Sequence, residues 1–378
     1  MSAQPTAHHV RFDPAEPMFE LALEQIGARA AELDADPRFP AENFRSLEAA
    51  GVTQFAADRR RCHLVGEAAI IRSLARADAS TARILDGHFN GVERLALLVE
   101  DDELRGSELA QIADGRLLLG VWGADPAAGE GQPARIERSR DGELVLGGVK
   151  TFCSGAGGVQ RALVIARDEH QARRIAYVDC TRGLAIDRSW YRASGLRASE
   201  SHRVEFQHAP VLALLGGADE IMREPWFSRD AVRTAATWAG IADAIVQATV
   251  EILTARALDD LRLQAIGGMR VARSSIDRWL AHTVASLDRA VKLSAGPQEP
   301  AADAIAGWRA LSAECRLAIA DAARSIAGQA AQVCGSRALV GGGSLDRARR
   351  DLDLFLLQHR LDHELVGLGA RTLADGPR

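Results

Sequence analysis

From about Glu16 to Asp114 the apolar residues recur at helical spacing, as in LALEQIGARAAELDA, AENFRSLEAAGV and EAAIIRSLARADAS, with Pro40 placed to open one helix. From Arg116 to about Leu214 the pattern changes to short alternating or β-branched runs: LLLGVWG, ARIERS, GELVLGGVKTF, RALVIAR, RRIAYVDC and HRVEFQHAPV. Gly, Asp and Pro punctuate these runs, and Asp141-Gly142 between two of them signals a hairpin. From about Ile221 the helical period returns in RTAATWAGIADAIVQATVEILTARAL and AECRLAIADAARSIAGQAAQV. The pattern predicts an α+β chain with an N-terminal all-α domain over 1–115, a middle β domain over 116–215 and a C-terminal helical bundle over 216–378.

The long Ala-rich helices carry apolar residues on more than one side, which predicts a bundle whose extra face is covered by a second copy in a homodimer or homotetramer. A single large helical core without a partner is the alternative. The segment KLSAGPQEPAADA, with Pro297 and Pro300, reads as an exposed connection between helices.

Composition narrows the functional classes. A chain of 378 residues, 47% hydrophobic, can bury a large core. Its 46 basic and 51 acidic residues are dispersed, so no basic stripe favours nucleic acid. No uncharged apolar stretch is long enough to span a bilayer and no leader pattern opens the sequence, so a cytoplasmic protein is expected. The five cysteines, Cys62, Cys153, Cys180, Cys315 and Cys334, are scattered without a C-x-x-C pair and are expected to be reduced. No His or Cys spacing suggests a metal site.

Neither G-x-G-x-x-G after a strand, nor a phosphate-cradling G-x-x-x-x-G-K-[ST], nor G-x-S-x-G is present. Four other stretches carry a resemblance instead: FPAENFRSLEAAGV with ARADASTARILDGHF; GVWGADPAAGEG; GGVKTFCSGAGGVQRALVIAR; and GLRASESHRVEFQHAPV with QVCGSRALVGGGSLDRARRDLDLF. In this order over nearly the whole chain they resemble the acyl-CoA dehydrogenase superfamily. The resemblance implies helices, a small β-barrel or sheet domain and a C-terminal four-helix bundle. It also implies a flavin cofactor, FAD or alternatively FMN, supplying the redox chemistry while the protein orients it.

By that resemblance Trp122 and Gly123 belong to the flavin-side strand, Phe152 and Ser154 face the flavin, and Gln332 and Gly335 correspond to residues contacting the ADP part of the cofactor. Each has a plainer alternative: Phe152 as core, Ser154 as turn chemistry, Gln332 as a solvated helix residue, and Gly341–Gly343 as a helix end. Trp190, Tyr191, Trp226 and Trp238 are further candidates for a cavity wall or for core packing. Where the family has threonine, serine and arginine this chain has Ala124, Glu130 and Ala231.

Thioester desaturation needs a base for the α-proton while the β-hydride passes to the flavin, and a carboxylate in a dry pocket suits it. The position of the family's usual Glu holds His359, and the alternative position on the helix opening the C-terminal region holds Asp230. Asp230 also fits as a solvated residue at a helix N-terminus, and His359 as a buried residue bonded to a helix carbonyl. A histidine at the base position is similar to the flavin-dependent monooxygenase branch, which takes reduced flavin from a reductase and activates oxygen. There His359, oriented by Asp362 or His363, would deprotonate a phenol or steady the oxygen-activating flavin. The leading expectation is therefore an acyl-thioester dehydrogenase with an electron-transfer partner; the alternatives are a monooxygenase acting on an aromatic or heteroaromatic small molecule with a flavin-reductase partner, and a non-catalytic scaffold.

Overall fold

The computed structural model of the chain describes residues 17–58, 63–255, 259–294 and 300–376. Cys62 and Pro297 lie outside the described residues; Cys153, Cys180, Cys315 and Cys334 are free thiols.

Six helices come first: α1 (Pro17–Ala35), α2 (Ala41–Ala49), α3 (Val52–Phe55), α4 (Leu64–Ala77), α5 (Ala79–Leu98) and α6 (Asp102–Ala113). Pro40 stands at the N-cap of α2, where the missing N–H costs nothing. Asp78 caps α5 by accepting the Thr81 N–H at 2.8 Å. The free N–H groups opening α4 are met from a distance in sequence, Leu64 and Val65 both donating to Asp288. Buried residues occur all round α5, so it runs through the core as a central strut.

Seven strands follow: β1 (Leu119–Trp122), β2 (Arg135–Arg138), β3 (Leu144–Cys153), β4 (Arg161–Arg167), β5 (Arg173–Asp179), β6 (Leu184–Asp187) and β7 (His202–Leu215). β2 and β3 form the hairpin, with Gly142 at φ +85° in its turn. Pairings β4–β2, β2–β3, β3–β7, β7–β5 and β5–β4 close on themselves, while β1 runs parallel to β4 and β6 pairs with β7. The sequence pattern missed β6, because Leu184–Asp187 is too short to show alternation.

Among the described residues five α-helices follow the sheet: α7 (Trp226–Thr254), α8 (Asp260–Ser294), α9 (Ala302–Cys334), α10 (Ser344–Leu357) and α11 (Leu361–Asp375). α7 packs on α8, α9, α10 and also on α4 and α5, so first and last helices share one core. At Gly240 a Cβ would sit 2.2 Å from the Arg72 carbonyl of α4, so the α4–α7 approach requires glycine. No helix among the described residues is long and apolar enough to cross a membrane.

Candidate functional site

The sheet contributes an aromatic platform. Between Lys150 and Cys153 the pairing of β3 with β7 shifts register, and this bulge leaves Phe152 at φ +51° with its ring 43% exposed. A bulky residue rarely adopts that conformation, and it turns the Phe152 ring outward from a strand whose neighbours are buried. Trp190 meets Phe152 edge-on at 5.0 Å and Tyr191 does so at 6.5 Å.

Two polar clamps hold the platform. Buried Lys150 donates to Asp125 at 2.6 Å and to the Gly123 carbonyl at 3.1 Å, fixing the loop after β1. Glu130 at the end of that loop accepts the Trp190 indole N–H at 2.9 Å. Beneath lies a chain of buried hydroxyls: Ser154 to Ser201 at 2.9 Å and Ser201 to Ser199 at 2.8 Å. Trp122 is itself core, 1% exposed, and supports the site through its indole N–H, which donates to the Ser154 carbonyl at 3.0 Å.

The helices contribute a charged recess. Arg83, Asp86, Asn90 and Arg94 form a polar stripe on α5, facing Asp230, Arg233 and Thr234 of α7. Arg83 bonds Asp86 at 2.9 Å and lies over the Phe355 ring at 5.6 Å. Burial is the main cause that raises the Asp86 pKa to about 6, against Arg83, with the Asp230 charge adding to it. Asp230 is also raised, chiefly by burial, although Arg233, Arg94 and Arg83 oppose the shift. Its side chain is still one-third open to solvent, as fits a group enclosed on all sides but one.

His359 closes the far side, between Trp238 at 5.2 Å and Phe355 at 5.5 Å, with Arg316 3.4 Å from its Nδ1. Burial, then Arg316 and Arg83, push the pKa of His359 down to about 3. This corrects the expectation of an imidazole that exchanges protons near neutrality: His359 stands as a neutral hydrogen-bonding group, and Asp86 is better poised for proton exchange. Asp362 and His363 are not its orienting partners, since both are exposed and engage Arg360.

Unmet polar atoms gather here. Among the described residues Asp86 Oδ1, Asn90 Oδ1, Arg94 Nε and Nη1, Arg233 Nη1, Trp238 Nε1 and Arg316 Nε are buried without a hydrogen-bond partner. Buried polar groups are ordinarily satisfied, so such a concentration marks a place built for a polar occupant. Arg83 joins recess to platform, acting electrostatically on Asp86, Asp230 and His359 and also on Tyr191.

The structure thus brings Trp122, Gly123, Phe152 and Ser154 together on the sheet side, and Asp230 and His359 together on the helix side. Gln332 is exposed and Gly335, at φ +76°, caps α9 with open space around it; none of their described contacts reaches either cluster. Sequence reasoning missed Arg83, Asp86, Arg94, Arg233 and Arg316, as well as the clamps Lys150 and Glu130. A signal existed: positions 83, 86, 90 and 94 put four polar residues at spacings of 3, 4 and 4 on one stripe of α5.

Solved structures of the same architecture bear on this arrangement. FMN-bound TdsC from Paenibacillus sp. A11-2 superposes with a TM-score of 0.83 at 16% identity, over 94% of this chain and 96% of that one. The chain shares the fold of these structures, which is the acyl-CoA dehydrogenase-like fold. Methanesulfinate monooxygenase MsuC from Pseudomonas fluorescens gives 0.84 at 20% identity, over 96% and 98%. KijD3 in complex with FMN and dTDP-3-amino-2,3,6-trideoxy-4-keto-3-methyl-D-glucose gives 0.84 at 19%, over 98% and 97%. No protein-family model and no curated protein sequence matches the chain.

Proposed function

We propose that this chain is a flavin-dependent monooxygenase that acts on a small polar molecule and receives reduced flavin from a separate reductase. The observation that carries this reading is the ring of charge around the recess: Arg83, Asp86, Arg94, Asp230, Arg233 and Arg316. An acyl chain buried there would strip water from those groups and return no hydrogen bond, at a cost of several kcal/mol. A polar substrate meets the same groups with partners.

Flavin fits the platform. The open face of Phe152, braced by Trp190, suits a flat tricyclic ring, and the hydroxyl of Ser154 lies beside it to bond a polar ring edge. Bound there in reduced form, flavin would supply the electrons and activate oxygen. The chain's own residues would do the rest. Arg94, Arg316 and the Trp238 indole have free donors to orient the substrate, and Asp86, with its pKa raised to about 6, can take and return a proton beside Asp230, whose pKa burial also raises. His359 would hold the substrate by hydrogen bonding, and Trp238 and Phe355 would keep bulk water from that side. Neighbours in the fold bound to FMN, one of them with indole, support the same reading.

The thioester dehydrogenase is retained as a second reading on one observation, the raised pKa of Asp230, which suits an α-proton base. The two readings part on oxygen. Protein loaded with FMN or FAD is mixed anaerobically with acyl-CoAs, and separately supplied with reduced flavin, oxygen and a panel of small amines, sulfur compounds and indoles. Substrate-dependent oxygen insertion is the expected result; bleaching of the flavin by an acyl-CoA overturns it in favour of the dehydrogenase.

A further inference from the structure

A second recess, of about 480 Å³, is lined by Tyr191, which meets Phe152 edge-on at 6.5 Å, and by Arg188, Arg192, Arg197, Arg350, Glu200 and His202. Two of its four guanidiniums are neutralised within the fold: Arg188 by Glu200 at 2.6 Å, and Arg350 by Asp34 at 2.6 Å and Asp346 at 2.9 Å. The other two are not. Arg192 donates to the Ser189 carbonyl and Arg197 to the Asp34 carbonyl, and no carboxylate lies within ion-pair distance of either among the described residues.

His202 supplies an independent sign. It is 3% exposed, lines this recess, and neither ring nitrogen makes a hydrogen bond; Nε2 lies 3.0 Å from Glu200 Oε2 in poor geometry, and that carboxylate is already held by Arg188. Burying an imidazole with both nitrogens unmet is costly unless something in the cavity meets them. Two uncompensated guanidiniums beside an unmet imidazole match a doubly charged tetrahedral oxyanion, because a carboxylate would neutralise only one of the charges.

We propose that this recess binds the phosphate group of an organic phosphate, held by Arg192, Arg197 and His202. Tyr191 belongs both to its lining and to the aromatic platform, where it meets Phe152 at 6.5 Å, so a phosphate held here lies near the proposed flavin face. Two sources share the chemistry: a phosphorylated substrate, and the flavin's own phosphate. The site itself is independent of the monooxygenase reading, since its first test needs no flavin.

Pyrophosphate is titrated calorimetrically into the full-length chain, flavin-free and flavin-loaded, with Arg192→Gln, Arg197→Gln and His202→Phe variants and Arg278→Gln on exposed α8 as the control for lost charge. Each Arg variant is expected to weaken pyrophosphate about tenfold, the worth of one charge-assisted hydrogen-bond pair, with the control unchanged. Arg192→Gln removes only a surface bond to Ser189, so it keeps the test valid if Arg197→Gln or His202→Phe disturbs folding. FMN and riboflavin titrations then assign the source. Variants that weaken FMN but not riboflavin make the occupant the flavin's phosphate, and variants that leave both unchanged while losing pyrophosphate make it the substrate's. Pyrophosphate bound equally by wild type, Arg192→Gln and the control overturns the site. Failure of the chain to bind any flavin, with pyrophosphate binding intact, would count against the proposed function and leave this site standing.

Discussion

Two clusters of buried charge meet at Arg233 of α7 and differ in one respect, whether their partners are internal. In the first, Arg229 bonds Glu93 at 2.9 Å and Asp288 at 2.6 Å, while Arg233 bonds Glu67 at 2.6 Å and also Glu93, all within 2% exposure except Asp288. These pairs join α4, α5, α7 and α8. In the second, Arg94, Asp86, Asn90 and Arg316 retain buried atoms without partners. Arg233 belongs to both, since its Nη1 has no hydrogen bond and faces Asp230 at 3.9 Å. Equal burial thus hides different purposes: a closed network positions helices, whereas an open one awaits a ligand.

The largest effect expected from this contrast is on Arg233. Arg233→Met leaves Glu67 and Glu93 buried without that partner, and should cost about 3–5 kcal/mol in urea unfolding, as breaking a buried ion pair does. Asp230→Asn, one turn away, should change stability by less than about 1 kcal/mol and instead lower turnover. Equal losses for the two variants would erase the distinction between scaffold and site.

The difference in legibility has a physical origin. Helical period and strand alternation are local properties, so the order helices, strands, helices could be read from the chain, as could Pro40 and the Asp141-Gly142 turn. Phe152 and Ser154 could be read as neighbours at the end of one strand because a local motif keeps them together. The recess could not, since it is assembled from α5, α7, α9 and the α10–α11 connection, and pairs such as Thr234 with Asp86 span 148 positions. His359 was visible as a residue, but its low pKa depends on Arg316 and Arg83, which only the folded chain brings near. Among the aromatic candidates, Trp190 and Tyr191 pack on Phe152 and Trp238 on His359, while Trp122 is core, a distinction that composition does not carry.

The next largest effects concern protons. Asp86→Asn should lower turnover about a hundredfold, in the range of losing a general acid–base group, and remove a rate limb near pH 6. The sign for stability follows from a folded pKa of about 6 above an unfolded value of 3.8. The contribution is complete below about pH 4 and is lost as pH rises through about 6, and Asp86→Asn abolishes that decline. His359→Gln acts in the opposite sense. With a folded pKa of about 3 below an unfolded 6.5, the neutral His359 contributes above pH 6.5 and loses that contribution as pH falls, so the variant should resist acid better in thermal melts from pH 7 to 4. Its turnover should fall only about tenfold, less than that of Asp86→Asn. A larger loss with His359→Gln than with Asp86→Asn would return the proton-transfer role to the histidine.

The smallest effect tests the sheet side against the helix side. Glu130 is half-buried and lies on the loop after β1, so Glu130→Ala should leave stability nearly unchanged, because polar contacts near the surface contribute little to folding. Its carboxylate nevertheless holds the Trp190 indole at 2.9 Å, a bond that also lowers its own pKa, and Trp190 in turn fixes the edge of Phe152 at 5.0 Å. Freeing Trp190 should weaken flavin binding roughly threefold and shift tryptophan emission to the red, the modest return of lost pre-organisation. An Arg316→Gln variant should spare flavin affinity while weakening substrate, since Arg316 lies against Trp238 and His359 and not against the platform. If Glu130→Ala lowers substrate affinity but leaves flavin untouched, the aromatic platform is part of the substrate pocket, and the division of labour between sheet and helices is the reverse of the one argued here.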